Sequence, residues 1–142
     1  MLAEKTGGGL AFGDKLTLIP GAEIETHEFK GCSAHSMCFF PTYEKISAFS
    51  REMSRHVKDL RSCAVMSRLS ASELLKITVG CGGVFIPAHV FTPFKSFYGR
   101  CCDSLHEIFD KSDFDRIPAV ELGLSSDTAM ASCIGELDGK TY

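Results

Sequence analysis

Residues 43 to 60, "YEKISAFSREMSRHVKDL", constrain the fold of this chain more than any other stretch. Ile46, Phe49, Met53, Val57 and Leu60 recur at spacings of three and four, while Lys45, Arg51, Arg55 and Lys58 occupy the other faces. At helical periodicity this pattern gives an amphipathic helix with a single apolar stripe. A stripe of that kind must be buried against another element, so the flanking segments decide the class. Upstream, "KLTLIPGAEIET" and "SAHSMCFF" (33 to 40) have strand character. The first is kinked at Pro20-Gly21 and the second is stopped by Pro41.

Downstream, Ser70 and Glu73 have capping-box spacing ahead of Leu74, Leu75 and Ile77, which predicts a helix stopped by Gly80, Gly82 and Gly83. "GVFIPAH" predicts a buried strand, and "IPAVELGL", 117 to 124, another. Asp103 is placed to cap a short helix carrying Leu105, Ile108 and Phe109. Ser125 or Ser126 would cap a last helix over Thr128 to Leu137. Residues 1 to 13, with Gly7, Gly8, Gly9 and Gly13, predict a loop. Strands that alternate with helices predict an α/β class with a mainly parallel sheet, open or barrel-like. A chain of 142 residues is long enough for one domain with a real core.

Composition narrows the function classes. A net charge of −3 gives no global attraction to nucleic acid, so any phosphate contact needs a local basic patch. Cys32, Cys38, Cys63, Cys81, Cys101, Cys102 and Cys133 include no Cys-x-x-Cys pair, which removes support for a zinc finger or a thioredoxin-like motif. "MLAEKTGGGLAFGDK" has neither a basic nor an apolar leader region, and no run approaches a membrane span. The expectation is a cytoplasmic protein with free thiols. Gly139-Lys140-Thr141 imitates the end of a phosphate loop, but Gly135 and Gly139 are one residue too close for that motif.

Three histidine- or carboxylate-bearing stretches carry candidate chemistry. In "PGAEIETHE", Glu23, Glu25 and His27 alternate, so a continuing strand projects all three from one face. That face is either a solvated strand end or a metal or acid/base cluster. His35 in "SAHSMCFF" and His89 in "IPAHVF" sit in apolar runs, where each alone is either a satisfied core histidine or a ligand. Together, Glu23, His35 and His89 each fall at or near a strand end, and one carboxylate with two imidazoles suits zinc, manganese or iron. The loop "TPFKSFYGR" interleaves Lys95 and Arg100 with Phe94, Phe97 and Tyr98. Its rings either pack down onto the sheet or, with the cations, face nucleic acid.

"IPGAEIETHE", "GCSAHSMCFFP", "GGVFIPAHVFTPFKSFYG", "DSLHEIF" and "IPAVELGLSSDT" together resemble the PHP (polymerase and histidinol phosphatase) domain, within it the branch of endonuclease Q and its bacterial relatives. The resemblance runs from Leu16 to the C-terminus. It implies a distorted seven-stranded β/α barrel, with Glu23, His35 and His89 as metal ligands and zinc or manganese as the ion. It also implies metal-assisted phosphoester hydrolysis, in this branch nicking of DNA 5′ to deaminated bases, which makes DNA the partner and offers Lys95, Tyr98 and Arg100 a nucleic-acid-binding role. The family's His-x-His strand and final Asp-x-His have no counterpart in residues 1–142. The expectation is therefore a single partial PHP domain that holds the ligands of one metal and is inactive or very weak alone. The alternatives are a PHP phosphoesterase acting on a small phosphorylated metabolite and a catalytically inactive binding or scaffold domain.

Overall fold

The kink at Pro20-Gly21 separates two sheets in the computed structural model, which describes residues 2–5, 7–29, 31–59 and 65–142. Before it, β1 (Leu2–Glu4), β2 (Leu10–Phe12) and β3 (Leu16–Leu18) form an antiparallel meander in that order. The N-terminal segment expected as a loop is thus a small sheet. Its glycines do make the turn, with Gly7, Gly8 and Gly9 all at positive φ.

After the kink, β4 (Gly21–His27) and β5 (Ser33–Phe39) pair along their whole length, with Glu25 opposite His35. With β6 (Val65–Met66) and β7 (Val84–Pro87) they make a second sheet of order β6-β4-β5-β7. Only the β4–β6 pair is parallel, so the expected parallel bias is wrong. For the β4–β5 pair the reason is the short connection at 28–32, because a parallel crossover needs a dozen residues or more. The described residues close no barrel. The expected strand at 117–124 lies against the end of β7, where Glu121 N–H donates to Pro87 O and Val90 N–H to Glu121 O, both at 2.9 Å. Pro118 has no N–H and Gly123 turns at φ +79°, so this stretch is extended without becoming a regular strand.

The helices follow from their caps. α1 (Tyr43–Met53) starts at Thr42, whose side chain accepts from Lys45 N–H. It stops before the predicted Leu60, which lies outside the described residues, because the chain turns and Val57 pairs with Ser67. α2 (Ala71–Gly80) carries the expected capping box, with Ser70 and Glu73 bonding reciprocally. Further on, α3 (Lys111–Phe114) and α4 (Thr128–Ala131) are single turns capped by Asp110 and Asp127. Ser104, not Asp103, caps the 3-10 turn at Leu105–Glu107, and the predicted last helix breaks into α4 and a 3-10 turn at Gly135–Leu137.

Strand alternation gives the second sheet two unlike faces. Ile24, Thr26, Ala34, Ser36 and Cys38 are buried on one of them. α2 covers that face, with Thr78 Oγ1 donating to Cys38 Sγ at 3.2 Å, and Phe40 packs on Phe49 of α1 at 4.8 Å between ring centroids. On the opposite face stand Glu23, Glu25, His27, His35 and Met37. The expectation of free thiols also needs correction: Cys32 and Cys101 form a disulfide with their Cα atoms 5.6 Å apart, inside the range a disulfide requires. Cys38, Cys81, Cys102 and Cys133 are free, and Cys63 lies outside the described residues.

Candidate metal centre

The uncovered sheet face brings the three expected residues together. Glu23, His35 and His89 each offer a ligand atom, and these atoms all lie within 4.8 Å of one another. Glu23 is the third residue of β4, His35 the third of β5, and His89 follows β7 by two, so only His89 stands beyond a strand's C-terminal end. The antiparallel β4–β5 pair and the adjoining β7 bring them side by side instead.

His35 is held from both edges. Its Nδ1 lies 2.7 Å from Glu23 Oε1, and its Nε2 lies 3.5 Å from Glu25 Oε2. The Nδ1 contact is close but poorly aligned, so this buried nitrogen lacks a proper hydrogen-bond partner among the described residues. Its backbone N–H donates to Lys95 O at 2.9 Å. The His35 and His89 rings meet edge to face with centroids 5.1 Å apart.

Glu25, next on the same face of β4, is buried and takes the Lys95 ammonium on Oε1. Burial works to raise its carboxyl, but Lys95, the Ser33 hydroxyl and His35 outweigh that and hold it below the usual carboxylate range. His27, the third member of the alternating set, stays apart from the cluster, with Nδ1 3.4 Å from Ser33 Oγ.

His89 sits at φ +34°, a conformation that a non-glycine residue adopts at a cost of about 1–3 kcal/mol. Three neighbours hold it. Thr92 donates to His89 O from both its N–H and its hydroxyl, at 3.0 Å each. Glu121 Oε2 accepts the His89 backbone N–H and lies 3.3 Å from ring Nδ1. Gly123 packs so closely that a Cβ there would stand 2.9 Å from His89 Cβ and from Thr92 Cγ2. The sequence alone does not single out Glu121. Its only signal was a lone carboxylate inside the apolar run "IPAVELGL".

The aromatic, basic loop divides. Phe97 is fully buried against Phe109, and a phenylalanine buried in this way contributes about 1.5–3 kcal/mol. Tyr98 stacks on Phe91 at 4.9 Å and donates its hydroxyl to Glu136 at 2.6 Å. Lys95, at φ +57°, points to Glu25, while Phe94 and Arg100 are exposed. Burial works to raise the Glu136 carboxyl, and Ser104, Tyr98 and the Leu105 N–H together pull it lower.

The residues present fit a divalent cation. Four-coordinate zinc with bonds of about 2.1 Å spaces its ligand atoms about 3.4 Å apart, and the three ligand atoms here already lie within 4.8 Å of one another. With Nδ1 of His89 facing Glu121, Nε2 is the nitrogen left for the ion, and the unpartnered His35 nitrogen gains a partner when one binds.

No protein-family model matches the chain. It is 40% identical over 138 residues to the uncharacterized protein YqxK of Bacillus subtilis (strain 168), an alignment that takes in 95% of this chain and 34% of YqxK. Its fold superposes on the lesion-specific endonuclease PfuEndoQ from Pyrococcus furiosus with a TM-score of 0.79 at 26% identity, covering 96% of this chain and 32% of that one. With endonuclease Q in complex with a 27-mer duplex substrate bearing an abasic lesion at the active site, the TM-score is 0.81 at 24% identity, covering 98% and 33%. The chain therefore spans about a third of the length of each, and over that third the fold is endonuclease Q-like.

Proposed function

We propose that this chain is the part of an endonuclease Q-like PHP phosphodiesterase that holds one divalent cation, zinc or manganese, through Glu23, His35 and His89. The observation that carries the proposal is the convergence of those three ligand atoms on the open face of the sheet. The likeness to a lesion-specific endonuclease supports lesion-containing DNA as the substrate, and the sequence resemblance to the endonuclease Q branch is what suggests deaminated bases as the lesion class. When bound, a divalent cation supplies Lewis-acid polarisation of a phosphoryl oxygen and neutralises the charge that grows there.

The protein's own groups prepare the site. Glu121 fixes the His89 ring and directs Nε2 inward, and Glu25 lies against His35 while Lys95 balances its charge. Lys95 also ties its loop to β5 through the His35 N–H, so the loop bearing Phe94 and Arg100 is anchored at the ligand set. Among the described residues one such ligand group is present, whereas two-metal hydrolysis needs ions about 3.5–4 Å apart, each with its own ligands. The purified chain is expected to bind one equivalent of zinc or manganese on dialysis and to lose it in His35→Ala and His89→Ala. Full retention of metal by both variants overturns the assignment. Incision of uracil- or hypoxanthine-containing duplexes by this chain alone is expected to be absent or very weak, and efficient metal-dependent nicking would refute the one-ion reading.

A further inference from the structure

A second polar feature opens where the ligand face ends. Glu23, Glu25 and His27 follow one another along one face of β4, and Met66 of β6 stands beside Glu25 in register. Past the ends of these two strands is a cavity of ≈ 350 Å³ lined by His27, His56, Lys58, Met66 and Arg68, with Asp59 as its carboxylate. Arg68 N–H donates to His56 O at 3.2 Å, which fastens the turn carrying Lys58 to the segment carrying Arg68.

What this cavity adds is the gathering of cations and imidazoles around one concavity. Several cations elsewhere are held in ion pairs: Lys76 and Arg116 share Asp113, Lys111 holds Asp115, Arg55 holds Glu52 and Lys95 holds Glu25. Lys58 and Arg68 are exposed and form no ion pair with a described residue. In a chain of net charge −3, two exposed cations and two imidazoles around one concavity, with Asp59 in the lining and Glu52 3.6 Å from His56, leave an excess of positive donors that can take an anion.

We propose that this cavity is a phosphate subsite that takes a backbone phosphate of a DNA strand whose reacting phosphate lies at Glu23, His35 and His89. Four residues of β4 separate Glu23 from His27, about 14 Å at the rise of a strand. Successive phosphates of one strand lie about 7 Å apart because the backbone winds around the duplex axis, so this span corresponds to roughly two nucleotides. Arg68 supplies a planar fork suited to two phosphate oxygens, Lys58 a point charge, and His27 and His56 further N–H donors. The contact is to the backbone alone, so it sets register and affinity and does not read the base.

The inference rests on the DNA reading above, and its test keeps the two separable. Binding of a fluorescein-labelled duplex bearing one abasic site is measured by anisotropy between about 50 and 200 mM salt. Arg68→Gln and Lys58→Gln are each expected to lower the slope of log K against log salt by about 0.9, so that the affinity change over this range shrinks about 3.5-fold. Both should keep the wild-type metal content and Tm. Lys15→Gln, in the turn between β2 and β3, removes the same charge and should leave the slope unchanged. Equal effects of all three variants, or none from Arg68→Gln and Lys58→Gln, overturn the subsite while the metal assignment stands. A wild-type protein that binds no duplex, yet shows phosphate-induced shifts of the His27 and His56 ring resonances that Arg68→Gln abolishes, overturns the DNA reading and this proposal's ligand with it.

Discussion

Glu121→Ala perturbs the proposed metal centre without removing a proposed ligand. The lost oxygen accepts the His89 backbone N–H and lies 3.3 Å from its ring Nδ1, at a residue held at φ +34°. Without it the imidazole is free to turn and to exchange its proton between nitrogens, so the ligand lone pair is presented for only part of the time. Carboxylates that orient a metal-binding histidine typically contribute about 10–100-fold in affinity, or about 1.4–2.7 kcal/mol. The cost to folding is smaller, because Glu121 is 38% exposed and water replaces the lost acceptor, leaving about 0.5–1.5 kcal/mol. Competition with a chromophoric zinc chelator reads the first quantity, and thermal unfolding of the metal-free protein reads the second. Glu121→Gln, which keeps an acceptor without the charge, should fall between wild type and alanine in metal affinity. A Glu121→Ala protein that binds zinc within about threefold of wild type would refute the orienting role.

Other outcomes follow from packing and protonation. Glu28 is buried, and burial raises its carboxyl despite hydrogen bonds from Thr26 and the Ala71 N–H. The folded state therefore binds its proton more tightly than the unfolded one, so this contribution to stability is full below the ordinary glutamate range and is lost as pH rises through the raised value. Glu28→Gln should flatten that part of a Tm-versus-pH curve. Ser70→Ala breaks the capping box of α2 and should cost about 0.5–2 kcal/mol in urea unfolding. Gly123→Ala forces a side chain against His89 and Thr92 at positive φ, and should lower both Tm and metal content. The Cys32–Cys101 bond spans a sequence separation of 69, and a loop of that size contributes about 4 kcal/mol in the chain-entropy model. Reductant, or Cys32→Ser, should lower Tm accordingly, and unchanged melting would show the bond to be dispensable.

The meeting of Glu23, His35 and His89 was legible because each disturbs an otherwise apolar or alternating run, and because their surroundings resemble a known domain. The capping box of α2 and the kink at Pro20-Gly21 were legible for local reasons, each being written within a few residues. What failed was non-local. The direction of β5 against β4 follows from the short connection at 28–32, which the alternating pattern does not register. The 117–124 run has strand composition, yet Pro118 and Gly123 limit its pairing to a few bonds. The helix from Tyr43 ends early because Val57 has a partner in Ser67, which periodicity cannot reveal. Glu121 and the Cys32–Cys101 pair depend on segments that meet only in the folded chain.

The layout of the proposed ligand trio has a consequence for how the protein would acquire an ion. Glu23 and His35 belong to one hairpin and are close in sequence, whereas His89 follows α1, β6, α2 and β7 along the chain. A ligand set divided in this way joins a local contact to a distant one, and distant contacts are slow to form. The early hairpin can offer two donors to an ion, and only the finished sheet offers the third. Metal uptake during refolding should therefore lag behind hairpin formation, which would make the bound ion a clock for the last steps of folding.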